Sequence, residues 1–390
     1  MRRRTFLASA LAAAPAAATL AGCGMFKGND ASSSNNVAAT AGGTVAPAQV
    51  TVYVSGDVNV QNLWNKNLGP AFAKAFPGFS VKVLVEGSTS ASTVLARLGA
   101  SVKTNQNPGM DILDGSFTTA ATGGLLAKVS TSNVPNLANV SSSLLTPVDY
   151  ASVPYRGSAV VLAYNSKYVS TPPKTLDELL AWITANPGKF TYNSPSSGGS
   201  GQAFVETTLT KYVSSADNAK MVAGYVPSLE GDWNQGFATL KGLSSSIYQH
   251  VYPNGNQAVL DLLAKGQIEL APVWSDQYLS GIQNHTLNSG IKFTQISDPT
   301  FTGGASYLGV LKASKKQQAA LKLADFFLQA QQQDAIVKQL GAYPVIPASK
   351  LPAATAARFN GVEVGNLRAG YSGQTSSDMN NLWQQKVPGQ

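Results

Sequence analysis

The sequence predicts an α/β layered fold. Short apolar runs alternate with helical apolar spacing from Val50 onward, the pattern of strands joined by crossover helices. The 390-residue chain, even without its first 47 residues, is long enough for two lobes with substantial cores. Cys23 is the only cysteine, so no internal disulfide is expected to staple the fold.

The N-terminal stretch reads as an address. Arg2, Arg3 and Arg4 precede an Ala- and Leu-rich run that ends at Leu20. A charged segment followed by an apolar one marks residues 1–22 as an export signal. Arg3-Arg4-Thr5-Phe6-Leu7 resembles the twin-arginine export signal. Leu20-Ala21-Gly22-Cys23 resembles the bacterial lipobox. That resemblance implies cleavage before Cys23 and a diacylglyceryl group on its thiol, an anchor to the cell membrane. Residues 23–47 are rich in Ser, Asn, Ala, Thr and Gly and bury too little apolar surface to order, so they read as a flexible tether. No other stretch has the ~20 continuous apolar residues that span a bilayer. Loss of the three signal arginines takes the formal charge from +8 to +5. No Lys/Arg cluster with interleaved aromatics follows, which argues against a nucleic-acid partner.

The folded part follows element by element. Val50–Val54, Val81–Val85 and Met110–Leu113 read as strands. Leu95, Leu98 and Val102 recur at helical spacing between the last two. Ser158–Tyr164 reads as a buried strand. Thr175-Leu176-Asp177-Glu178 is a capping box that opens a helix with Leu176, Leu179, Leu180 and Ile183 on its apolar face. Asn186-Pro187-Gly188 ends that helix. Asn256 is placed to cap a helix whose Val259, Leu262 and Leu263 face inward, with Gly266 at its C-terminal turn. Strands are expected at Ile268–Val273 and Tyr307–Leu311, then a long amphipathic helix through Ala320, Leu323, Ala324, Phe327 and Leu328.

Several of these segments carry a resemblance. Pro172-Pro173-Lys174-Thr175-Leu176-Asp177-Glu178-Leu179-Leu180 and Asn186-Pro187-Gly188-Lys189-Phe190-Thr191-Tyr192 resemble family 1 extracellular solute-binding proteins of ABC importers, above all the YnjB-like, thiamine- and polyamine-type members. Gly255–Glu269 is similar to that family's helix-then-strand unit, and Gly303–Val310 to its return strand. The resemblance implies a type II-like periplasmic-binding-protein fold, two α/β lobes joined by crossing strands with a ligand cleft between them. The first lobe then comprises 48–157 plus 302–390 and the second 165–298, with 158–164 and 299–311 as crossing segments. It also implies a monomer that delivers a small-molecule ligand to an ABC permease and ATPase.

In open α/β sheets, ligands sit beyond the carboxyl ends of the strands. That rule selects Ser55 and Asp57, Ser88 and Thr89, Asp114 and Ser116, and Trp274 and Asp276. Ser, Gly and Asp also favour turns for their own reasons, and Trp274 equally suits core or hinge packing. An aromatic face beside a carboxylate suits a cation or a sugar. Ser200 and Gly201 lie in a Gly/Ser loop before a helix, where free amides favour an anionic or hydroxyl group. Trp233 reads as a second aromatic wall or as core, and Tyr307 as a residue near the hinge that reaches the cleft. The acids point to a cation such as thiamine or a polyamine and the Ser/Gly loop to phosphate-like groups; a zwitterion or a phosphorylated cation satisfies both.

Catalytic signatures are absent from the sequence. His250 and His285 are the only histidines, and neither has a second His or a Cys at metal-ligand spacing. No Gly-x-Ser-x-Gly elbow and no Walker-type loop occurs. Neither enzyme activity, a cofactor nor a resident metal is expected. Two rival readings stay open: a lipid-anchored glycan hydrolase, whose carboxylates need only meet in space, and a ligand-sensing lipoprotein. Ferric-ion capture through Tyr248 and Tyr252 is a minor alternative.

Overall fold

The computed structural model describes residues 45–54, 58–85, 91–104, 106–115, 120–121, 123–357 and 367–388. The export signal, Cys23 and the tether as far as residue 44 lie outside these residues; the last tether residues are described, and Val45 packs on the first-lobe core, so the flexible stretch expected to run to residue 47 ends sooner.

Three parallel strands open the fold: β1 (Gln49–Val54), β2 (Ser80–Leu84) and β3 (Ile112–Gly115), with β1 in the middle. Parallel neighbours require crossovers, supplied by the helical stretch 58–75 and by α1 (Ala91–Thr104). Val50, Val52 and Val54 are buried on one side of β1 and Tyr53 on the other, as expected of a strand covered on both faces.

The long strand β4 (Val153–Asn165) joins the two halves of the molecule. Its first half pairs with the late strand β7 (Gly303–Val310), which also pairs with β3. Its second half, from Val160, pairs antiparallel with β5 (Leu270–Trp274) and with β6 (Ile291–Thr294). The strand order is β2-β1-β3-β7-β4-β5, with β6 also on β4.

Each half carries helices on both faces. The first lobe buries Trp64, Phe72 and Phe327 on one face, under α8 (Gln317–Phe327) and α9 (Ala330–Leu340), and Val94, Leu98 and Leu113 on the other. The second lobe buries Phe190, Phe204, Trp233 and Phe237 beneath α2 (Leu176–Ala185), α3 (Gly199–Thr210), α4 (Ser215–Ala223) and α5 (Asn234–Gly242). Its other face packs Val259, Leu263, Val273 and Tyr278 under α6 (Asn256–Ala264) and α7 (Ser275–Gln283).

The expected α2 forms with both halves of its capping box. Glu178 N donates to Thr175 Oγ1 at 3.1 Å, and Thr175 N to Glu178 Oε2 at 3.3 Å. Three expectations need correction. β4 starts at Val153, five residues before the expected Ser158, because Pro154 to Gly157 continue the ladder with β7. Asn256 does not cap its own helix; Gly255 holds that position at φ 88°, and the Asn256 amide reaches α3 instead. Finally, residues 302–390 do not all join the first lobe. α10 (Gly373–Lys386) buries Met379 and Trp383 in the second-lobe core, with Leu382 packed partly buried against it, because these three are the apolar residues of a largely polar helix. Leu367 still packs on the first-lobe core, so the chain recrosses between Leu367 and Tyr371.

Candidate functional site

The junction of the lobes is built on an irregularity in β4. Its pairing with β7 shifts between Pro154 and Arg156, leaving Tyr155 as an extra residue. A bulge re-aims side chains that a period of two sends to opposite faces. Tyr155 and Arg156 accordingly meet: Arg156 Nε donates to Tyr155 Oη at 2.8 Å, and the guanidinium carbon lies 5.4 Å from the ring centroid. The Tyr155 ring packs into the first-lobe core near Trp64 and Phe327.

Asp114, on β3, supports this pair from behind. Trp64 Nε1 donates to its Oδ2 at 2.6 Å, and the Tyr155 hydroxyl donates at 2.8 and 2.9 Å to its two oxygens. Burial raises the Asp114 pKa, against the pull of Arg156 and of the Trp64 and Tyr155 hydrogen bonds. Burial also works against the Arg156 charge, but Tyr155, Asp114 and Asp276 outweigh it and the pKa rises. Arg156 therefore stays cationic.

On the second-lobe side, α7 begins where β5 ends. Its first turn places Asp276 Oδ2 3.7 Å from Arg156 Nη1. Asp276 Oδ1 accepts from Ser158 Oγ at 2.7 Å and from Gln277 N at 3.0 Å. Ser275 Oγ accepts from Ala159 N at 3.2 Å. One polar chain thus runs from a first-lobe strand, through the crossing strand, to a second-lobe helix.

Trp274 ends β5 half-buried. Its indole lies against Gly199 at the start of α3; a Cβ there would stand 2.7 Å from Trp274 Cζ2. The expected site residues Asp114, Trp274 and Asp276 thus lie at or beside the junction.

Four others do not. Ser200 and Gly201 are buried, and their amides donate to Asn256 Oδ1 at 3.1 Å and Asn193 Oδ1 at 2.9 Å. Two asparagine side chains therefore take the amides expected to face an anion. Trp233 is fully buried between Phe237 and Tyr371, because the turn Pro227–Trp233 folds it under the second-lobe core. Tyr307 is in the first-lobe core, its hydroxyl donating to the Leu144 carbonyl at 2.9 Å. Ser55, Asp57, Ser88, Thr89 and Ser116 lie outside the described residues.

The junction residues that sequence reasoning missed are Tyr155, Arg156 and Ser158. A signal existed: Arg156 is the one charge between Val153 and Tyr164, an otherwise apolar and small run, and buried arginines are rare unless paired. Among the described residues, no group of three or more His, Cys, Asp or Glu side chains is placed to hold a metal ion. Tyr252, offered for ferric ion, packs on Tyr192 and Trp383, with its hydroxyl 3.2 Å from Ser244 Oγ. Nor is any described helix long and apolar enough to cross a membrane.

Comparison with known proteins places this architecture. An extracellular solute-binding protein from Bordetella parapertussis aligns with a TM-score of 0.68 at 17% identity, over 87% of this chain and 98% of its own. The Atu4243-GABA receptor aligns with a TM-score of 0.64 at 21% identity, over 86% and 97%. The spermidine/putrescine ABC transporter substrate-binding protein PotD from Streptococcus pneumoniae gives 0.63 at 15%, over 87% and 99%. These likenesses establish the two-lobe periplasmic-binding-protein fold. A search of curated protein sequences found no match. Residues 67–359 match the bacterial extracellular solute-binding protein family, three-quarters of the chain; the chain belongs to that family.

Proposed function

We propose that this chain is the lipid-anchored capture subunit of an ABC uptake transporter. It holds a small polar solute between its lobes and passes it to the permease and ATPase. The observation that carries the reading is the polar chain at the lobe junction, where Arg156 of the crossing strand meets Asp276 of the second lobe at 3.7 Å. A guest touching this seam contacts both lobes at once, so its binding energy selects the closed arrangement. The Leu20-Ala21-Gly22-Cys23 sequence supports the anchor. The fold shared with PotD and the GABA receptor supports nitrogenous solutes of modest size, polyamine- or thiamine-like molecules among them.

A thermal-shift panel tests the reading. Thiamine and its phosphates, spermidine, putrescine, small sugars and ferric ion are each added to the purified chain. A true guest at 100 to 1,000 times its Kd stabilises the native state by roughly 3–4 kcal/mol. Catalytic turnover of a stabilising compound would transfer the chain to the enzyme class.

A further inference from the structure

Within that capture reading, the hydrogen bonds of Arg156 point to the chemistry of the guest. A guanidinium carries five N–H donors in a planar fork. Nε is held by Tyr155 Oη, while Nη1 stands 3.7 Å from the Asp276 carboxylate, outside hydrogen-bond distance. Among the described residues, no acceptor takes a hydrogen bond from either terminal nitrogen. Asp276 cannot simply close on the fork, because Ser158 and the Gln277 amide fix its Oδ1. The Arg156 side chain keeps 11% of its surface exposed and Asp276 15%. That is enough to present an edge to a guest and too little for full hydration.

The surroundings orient the fork. Asp114 fixes the Tyr155 hydroxyl, and that hydroxyl fixes Nε, while Nη1 stands on the side of the second-lobe Asp276. A planar fork with its terminal donors available matches a carboxylate or phosphate in bidentate fashion. The carboxylate beside it suits the opposite charge, as does an aromatic face, and the half-buried Trp274 stands two residues before Asp276 in the chain.

We propose that Arg156 anchors an acidic group of the captured solute, a carboxylate or phosphate, while Asp276 and Trp274 receive a cationic group on the same molecule. The guest is thus a small zwitterion.

Matched compounds differing in the acidic group test this by calorimetry, on the purified full-length chain in mild detergent. The pairs are 4-aminobutyrate with n-butylamine, and thiamine monophosphate with thiamine; putrescine is the doubly cationic control. The acid-bearing member of at least one pair should bind ten or more times more tightly than its partner. Arg156→Met should weaken that member on the order of 100-fold, with the acid-free partner changing less than about twofold. Arg156→Lys, which keeps the charge and loses the fork, should fall between. If Arg156→Met does not fold, the matched pairs on the natural chain and the Lys variant decide the matter. Tighter binding of the amines, or equal binding within each pair, overturns the zwitterion and leaves capture standing. Binding of no compound at all counts against capture and takes this proposal with it.

Discussion

Glu206 shows at the residue scale how the interior sets chemistry. It sits on α3, 1% exposed, with Oε2 accepting the Tyr371 amide at 2.9 Å and Oε1 3.5 Å from Arg368 Nη1. Burial pushes its pKa from the ordinary 4.5 up to about 7, against the pull of Arg368 and the Tyr371 amide. The folded chain therefore keeps a proton that the unfolded chain releases above about pH 4.5. Stability from this group is full below that pH, falls as pH rises toward about 7, and is level beyond it. Relative to Glu206→Gln, the natural chain should lose on the order of 3 kcal/mol between pH 4.5 and 7.5 in urea titrations. A difference that is constant across that range would show that the acid does not titrate there. Legibility at this scale was uneven. Trp274 and Asp276 were selected by the rule that ligands meet strand ends, whereas Arg156 carried only the signal of a lone charge in an apolar run, and the bulge that re-aims it leaves no mark in the alternation pattern. Trp233 was left between aromatic wall and core, and the chain tucks it into the second-lobe core.

Local signals resolve well for elements that carry their own punctuation. The α2 capping box is such a case: hydroxyl and carboxylate each satisfy a backbone donor that the helix leaves unpaired. Thr175→Ala should destabilise the chain by about 1 kcal/mol in urea unfolding, and Thr175→Ser by much less. Equal effects of the two would mean that the methyl, and not the hydroxyl, is what matters. Strands β1 to β3 were readable for a similar reason, since apolar side chains were concentrated in short runs. α10 was not, because Met379, Leu382 and Trp383 stand among eleven polar or glycine residues. The cap on α3 was also beyond local reading. Its acceptors come from Asn193, 8 residues before Gly201, and from Asn256, 56 residues beyond Ser200.

The whole molecule owes its division to β4, whose first half pairs with β7 and whose second half pairs with β5 and β6. The two lobes could be anticipated from the family resemblance and a chain long enough to hold them, but not the return of the C-terminal stretch to the second-lobe core. Arg368 fixes that return, donating from Nε to the Thr300 carbonyl at 2.7 Å and from Nη2 to Thr207 Oγ1 at 2.6 Å. At this scale the proposed anchor has its own test: Cys23→Ser should move the protein from the membrane fraction to the soluble fraction, and retention would reject lipidation. The recrossing has a practical consequence. Val45 and Ala48 pack on one lobe, while Trp383 and Val387 pack in the other. A donor dye near residue 46 and an acceptor near residue 388 would therefore ride on opposite jaws, making the chain an optical sensor of its own closing without any insertion into either core.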